Sequence, residues 1–153
     1  MRRLYAACCS LALGAATFTA VADTSPENAI KFRQAVMRSM SDHFAAFMLI
    51  SSGRVDQPQY LAAHADAIGA MGEQLGSLFP AGSGTGKTDA LPAIWTDTAK
   101  FQKALDNGKS ATAKLRDAVK GGDKAAIAQA AKAAGDACKG CHDSFRKEEK
   151  KPG

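Results

Sequence analysis

The sequence Cys138-Lys139-Gly140-Cys141-His142, eleven residues before the end of the chain, places a histidine directly after the second of two thiols. This C-x-x-C-H arrangement is the signature of covalent haem attachment. On a helix, residues i, i+3 and i+4 share one face, so Cys138 and Cys141 could bind one porphyrin while His142 reaches its iron. The motif therefore predicts a helix with haem c along one side.

Helical periodicity extends from this motif towards the N-terminus. The fourth helix is expected to begin at Asp123. Its apolar positions are Ile127, Ala131, Ala134, Cys138, Cys141 and Phe145. Three earlier patterns run from Ser25 to about Gly53, from about Asp56 to Pro80, and from Pro92 to Gly121. No convincing strand pattern occurs, so we predict an all-α, antiparallel up-down-up-down four-helix bundle with one covalently bound haem.

Two details of these helices are less regular. The dipeptide Asn107-Gly108 is a good turn former and predicts a kink or break in the third helix. The glycine-rich segment 81–87 fails the spacing of a phosphate-binding loop, so we expect a flexible linker there.

The N-terminus has the three parts of a secretory signal peptide. Arg2 and Arg3 precede an apolar run, which ends in the A-x-A site Ala20-Val21-Ala22. We expect residues 1–22 to be cleaved and residues 23–153 to form one domain. The alternatives are an uncleaved anchor helix and a lipoprotein.

Cleavage would leave 18 basic and 15 acidic residues, a net charge of +3, and only two cysteines, Cys138 and Cys141. Because no basic patch with interleaved aromatic residues is present, we expect no nucleic-acid partner. We also expect no membrane association after signal removal.

The motif has two other interpretations. A zinc site needs further ligands, and His43 and His64 lie on different predicted helices with no paired spacing. A thiol-disulfide enzyme normally places its C-x-x-C at the start of a helix after a strand, whereas Cys138 lies deep in the fourth helix. We retain the thiol-disulfide enzyme as a third hypothesis, behind two haem functions.

Three stretches carry a family resemblance: Ala29-Ile30-Lys31-Phe32-Arg33-Gln34, Pro92-Ala93-Ile94-Trp95, and the attachment motif continued through Asp143-Ser144-Phe145-Arg146. Together they resemble class II c-type cytochromes, the cytochrome c-prime family. The resemblance implies a bundle with one haem, commonly a homodimer, exported to the bacterial periplasm.

The resemblance also implies roles for individual residues. Arg33 matches the arginine that binds a haem propionate, and burial of its charge would be costly without such a partner. Arg146 matches the arginine near the proximal histidine. Met37 matches the position that either ligates the iron or blocks it, and we expect ligation, with Met40 as the fallback.

The predicted function follows from the two expected iron ligands, His142 and Met37. With iron bound by His142 and Met37, the low-spin branch of the family, the chain would be a periplasmic one-electron carrier and not an enzyme. Its partners would be a redox protein donor and acceptor. The alternative is a five-coordinate cytochrome c-prime that binds nitric oxide or carbon monoxide.

Overall fold

Five α-helices account for most of residues 24–148, the part of the chain that the computed structural model describes. They are α1 (Pro26–Ser51), α2 (Leu61–Glu73), α3 (Ala93–Thr96), α4 (Thr98–Gly121) and α5 (Lys124–Phe145). Short 3-10 turns at Pro58–Tyr60 and Leu75–Leu78 flank α2. The predicted signal peptide lies outside the described residues. Every helix in the described part is too short or too polar to span a bilayer.

The four longer helices form the predicted four-helix bundle. Helix α4 packs on both α2 and α5, and α1 packs mainly on α2. Phe47, Ile68, Leu78 and Leu115 lie fully buried between them. These residues fall on the apolar stripes of the sequence, so burial of those stripes stabilises the bundle.

Side-chain caps mark where three of the helices begin, namely Ser25 at α1, Asp97 at α4 and Asp123 at α5. The Ser25 hydroxyl accepts a hydrogen bond from the Asn28 amide at 3.3 Å, and the Asp123 carboxylate accepts one from the Ala126 amide at 2.7 Å. Gly122, with φ of 76°, ends α4 in a left-handed conformation that favours glycine. The predicted start of α1 and the boundary between α4 and α5 are therefore confirmed.

The third predicted helix breaks at Asp97 and not at Asn107-Gly108, so that prediction was wrong. Asp97 caps α4 by accepting from the Lys100 amide at 3.3 Å. The helix then runs unbroken through Gly108, where a Cβ would lie 3.1 Å from Leu75 Cδ1. Gly108 thus allows a close approach between α4 and the turn after α2, which outweighs its local turn preference.

The segment between α2 and α3, expected to be a flexible linker, is held by packing. Ser83 is fully buried, and a Cβ on Gly84 would lie 2.7 Å from the Trp95 ring. Further along, Ala90 forms an isolated antiparallel bridge with Arg146. The connection therefore lies against the end of α5 that carries the C-x-x-C-H motif.

We predict that Gly72→Ala destabilises the protein. On α2, a Cβ at residue 72 would lie 2.9 Å from Thr112 Cβ on α4, and Thr112 is 2% exposed. Overpacking at such a contact costs about 1–3 kcal/mol of unfolding free energy. Denaturant unfolding followed by circular dichroism measures this loss.

Gly76→Ala is the matched control, because nothing lies within 4 Å of the added methyl group. Its unfolding free energy should stay within about 1 kcal/mol of the parent value. The double variant Gly72→Ala/Thr112→Ala should recover part of the loss, since it removes the Thr112 hydroxyl, the atom that the added methyl group would meet first. Equal stability of the two glycine variants would contradict this account of the helix contact.

Candidate functional site

The C-x-x-C-H motif faces an apolar cavity of about 170 Å³. Cys138 and Cys141 are half-buried on α5, and His142 follows as an exposed residue at its edge. The lining residues are Met37, Met40, Ser41, Phe44, Ile68, Leu75, Phe79, Ala104, Leu105, Gly108, Thr112, Ala134, Gly135, Ala137, Cys138, Cys141 and His142. The cavity thus brings together the motif on α5 and the opposing face of α1.

A second, more polar cavity of about 540 Å³ adjoins the first. Both are lined by Met37, Ser41, Phe79, Cys141 and His142. The second cavity is also lined by Arg33, Gln34, Arg38, Thr88, Asp89, Ala90, Ile94, Phe101, Phe145 and Arg146. The site therefore has an apolar interior and a cationic mouth.

This division of polarity fits haem, whose ring is apolar and whose two propionates are anionic. On α5 the residues beside Cys138 are small, namely Ala134, Gly135 and Ala137, so a flat ligand can approach the helix backbone. The thiols at i and i+3 lie on the same side of α5. The donor set, the small residues and the arginines therefore suit the group that the motif predicts.

Met37 lies on the α1 side of the cavity. It is half-buried, whereas Met40, one turn later, is 7% exposed and belongs to the core. Only Met37 of these two lines both cavities. Its thioether therefore lies at the junction between the apolar interior and the mouth.

Arg33 is buried, at 4% exposure, and its terminal nitrogens donate four hydrogen bonds. Nη1 donates to the Leu78 carbonyl at 3.1 Å and the Ser83 hydroxyl at 2.9 Å. Nη2 donates to the Ser83 carbonyl and the Thr88 hydroxyl, each at 2.9 Å. The guanidinium also lies over the Phe79 ring, 4.9 Å from its centroid.

All four acceptors of Arg33 are electrically neutral, and burial lowers the pKa of this guanidinium. The loop accepts hydrogen bonds from the terminal nitrogens of Arg33, but none of these acceptors carries a negative charge. The roles of Ser83 and Thr88 were missed from the sequence, because a short Gly-Ser-Thr segment is equally typical of a linker. The haem-propionate role of Arg33 stays a prediction, alongside this observed role in holding the loop.

Arg146 lies at the C-terminal cap of α5, half-buried, and lines the polar cavity. Its amide donates to the His142 carbonyl at 3.0 Å, which completes the last helical turn. The structure therefore brings Arg33 and Arg146 to the same cavity, although 113 positions separate them in the chain.

The two thiols lie in surroundings that disfavour thiol exchange. Burial raises the pKa of the Cys138 thiol, and burial together with the proximity of Cys138 raises the pKa of the Cys141 thiol. Redox-active cysteines need the opposite change, because the thiolate is the nucleophile. The thiol-disulfide hypothesis therefore loses support.

The family model for cytochrome C' matches residues 28–146 of the chain. A cytochrome c' from Rhodospirillum rubrum is 36% identical over 137 residues, which cover 88% of this chain and 93% of that protein. Another from Pararhodospirillum photometricum is 34% identical, covering 80% and 98% of the two chains. The similarity thus extends over nearly the whole length of these relatives.

Solved structures give the same result. The crystal structure of cytochrome c' from Rubrivivax gelatinosus superposes with a TM-score of 0.75 at 33% identity, covering 80% of this chain and 97% of that one. A nitric oxide complex of a leucine-to-alanine variant from Alcaligenes xylosoxidans has a TM-score of 0.75 at 28% identity, with 82% and 98% coverage. The leucine-to-glycine variant of that protein has been solved with carbon monoxide bound.

These findings overturn the prediction of an electron carrier with iron bound by both His142 and Met37. The matched family typically has a five-coordinate, high-spin iron, and its solved members include nitric oxide and carbon monoxide complexes. A methionine thioether at the sixth position would compete with such ligands. The low-spin assignment was wrong because a residue's position on the distal face does not determine whether it bonds to the metal.

The cofactor and fold predictions are confirmed. The family attaches haem c covalently through cysteine, and its members are four-helix bundles. With the family model spanning α1 to the end of α5, the chain belongs to the cytochrome c' family.

Proposed function

We propose that this chain is a five-coordinate haem protein that binds nitric oxide or carbon monoxide. In this proposal Cys138 and Cys141 hold haem c by thioether bonds, and His142 is its single protein ligand. The haem supplies an iron with one coordination position for a small neutral ligand.

The observation that carries the proposal is the apolar face that α1 presents to the cavity. Met37, Met40 and Phe44 line that face, with Ser41 as the polar residue among them, opposite the α5 residues that include His142. Water and anions lose hydration when they enter such surroundings, whereas a neutral diatomic gas loses little. The cavity therefore favours nitric oxide and carbon monoxide over polar ligands.

Met37 acts in this proposal as a displaceable block. An unbranched thioether side chain has three rotatable bonds, so it can fill the distal space and swing aside for an incoming gas. Its half-buried position at the junction of the two cavities supports this role. The residue would control the rate of access without forming a bond to iron.

The cationic mouth supports a second part of the proposal. We assign Arg33 and Arg146 to the environment of the haem propionates, since both line the polar cavity. The neutral acceptors around Arg33 leave its positive charge available to attract a carboxylate. Arg33 would then hold the loop through hydrogen bonds from its terminal nitrogens and attract the haem propionates through its positive charge.

The setting of the protein is also part of the proposal. Residues 1–22 would be a signal peptide, residues 23–153 the mature domain, and the bacterial periplasm the destination. Support comes from the A-x-A site at Ala20-Val21-Ala22 and from the family, whose members are periplasmic and often homodimeric.

The ferrous holoprotein should give a broad, high-spin absorption spectrum that changes when carbon monoxide is added. This result is expected because the sixth position holds no strong ligand. Optical titration of the reduced protein with carbon monoxide measures it. A sharp low-spin α band that carbon monoxide leaves unchanged would overturn the proposed function.

Met37→Ala should keep the high-spin spectrum and bind carbon monoxide about tenfold faster. Moving a side chain off its rotamer costs about 0.5–1.5 kcal/mol, and about 1.4 kcal/mol of barrier corresponds to tenfold in rate. Stopped-flow mixing measures the association rate. Met48→Ala is the matched control, because Met48 lies on the same helix but is 41% exposed and outside both cavities. Equal rates in the two variants would rule out Met37 as the block.

The intact mass of the exported protein should equal that of residues 23–153 plus about 0.6 kDa for one haem. Cys138→Ala and Cys141→Ala should each retain at most one thioether bond, and the double variant should carry no covalent haem. Denaturing mass spectrometry checks all four proteins. A parent mass without the haem increment, or covalent haem in the double variant, would refute the attachment assignment.

A further inference from the structure

Ser41 is the polar residue on the face of α1 that lines the inner, apolar cavity. It lies four residues after Met37, so the two side chains share one face of the helix. Both residues also line the polar cavity, and Ser41 is exposed to the space that the two cavities form. The hydroxyl of Ser41 therefore adjoins the position that Met37 would vacate for an incoming gas.

Two side-chain hydroxyls line the inner cavity, those of Ser41 and Thr112. The Thr112 hydroxyl points back to its own helix, where it lies 3.0 Å from the Gly108 carbonyl and 3.1 Å from the Lys109 carbonyl. A hydroxyl has only one proton to donate, so the Thr112 donor is already used. The Ser41 hydroxyl, in contrast, takes part in none of the hydrogen bonds found within residues 24–148.

The other polar groups of this cavity have a role under the proposed function. Cys138 and Cys141 hold the haem, and His142 binds its iron. Ser41 then remains as the hydrogen-bond donor that the protein leaves without a partner. A hydroxyl in apolar surroundings raises the free energy unless it finds an acceptor, so this donor favours a ligand that can accept.

We propose that the Ser41 hydroxyl donates a hydrogen bond to the diatomic ligand at the distal face and thereby helps to determine which ligands the site favours. This inference rests on the proposed function, because it requires an open sixth position. Ferrous iron donates electron density to carbon monoxide or nitric oxide, which makes the outer atom of the ligand a better acceptor. Hydrogen-bond donors on the distal side are among the features that decide what a haem pocket binds. The proton stays on the Ser41 oxygen throughout.

Ser41 and Met37 have separate roles in this proposal. Met37 fills the distal space and limits the rate at which a gas enters, whereas Ser41 acts on the ligand after it has bound. Met37→Ala is therefore expected to change the association rate, and a change at Ser41 is expected to alter the vibrational spectrum of the bound ligand.

The test is infrared spectroscopy of the reduced holoprotein with carbon monoxide bound. In Ser41→Ala the C–O stretching band should move to a higher wavenumber, because a lost hydrogen bond leaves less electron density on the ligand. Ser41→Thr keeps a hydroxyl and should move the band back towards its position in the parent protein. Alanine favours helix, so α1 should persist in Ser41→Ala, and circular dichroism verifies the fold of each variant.

Ser39→Ala is the matched control, because Ser39 lies exposed on the same helix and lines neither cavity. Its C–O band should coincide with that of the parent protein. An unchanged band in Ser41→Ala, or an equal shift in Ser39→Ala, would overturn the role of Ser41 and leave the proposed function intact. A parent protein that forms no carbon monoxide complex would overturn the proposed function and this inference together.

Discussion

The arrangement of the site depends on the burial of one guanidinium. Arg33 extends from α1 into the connection after α2, where two carbonyls and two hydroxyls accept its hydrogen bonds. Leaving such a group without partners in the interior would cost several kcal/mol, so the loop must fold around it. That loop in turn supplies Phe79 and Thr88 to the walls of the cavities.

The two cavities differ in polarity in the same way as the two parts of an amphipathic cofactor. The inner cavity offers methionine, phenylalanine and aliphatic side chains on one side and small residues of α5 on the other. The outer one has Arg33, Arg38 and Arg146 among its lining residues. Under the proposed function, this combination would favour one orientation of the haem, with the ring inwards and the propionates outwards.

Much of the fold was predictable because it depends on local patterns. The apolar stripes of the four long helices and the caps at Ser25 and Asp123 are properties of neighbouring residues. The break expected at Asn107-Gly108 does not occur, and the contact between Gly108 and Leu75 that accompanies the continuous α4 joins residues distant in sequence. For the same reason, the Arg33 acceptors become visible only once the helices have packed, and so does the hydrogen bond between His43 Nδ1 on α1 and His64 Nδ1 on α2, at 2.9 Å.

The site was predictable in position but not fully in chemistry. The spacing of Cys138, Cys141 and His142 carries strong information, because only a few chemistries use two thiols and a histidine in that order. Met37 lies on the face of α1 that lines the cavity beside the motif, yet its assignment as an iron ligand was wrong. Whether a thioether bonds to a metal or fills space beside it depends on tenths of an ångström, which a sequence does not encode.

The bridge between Ala90 and Arg146 affects how the C-terminal end of α5 can open. The last turns of a helix normally fray, which would leave the segment around His142 the least protected part of α5. Here the Leu91 amide donates to the Phe145 carbonyl at 2.9 Å, and the Lys147 amide donates to the Asp89 carbonyl at 2.8 Å. The end of α5 therefore opens only together with the connecting segment, so its amide protons should exchange as one cooperative unit with those of residues 88–91.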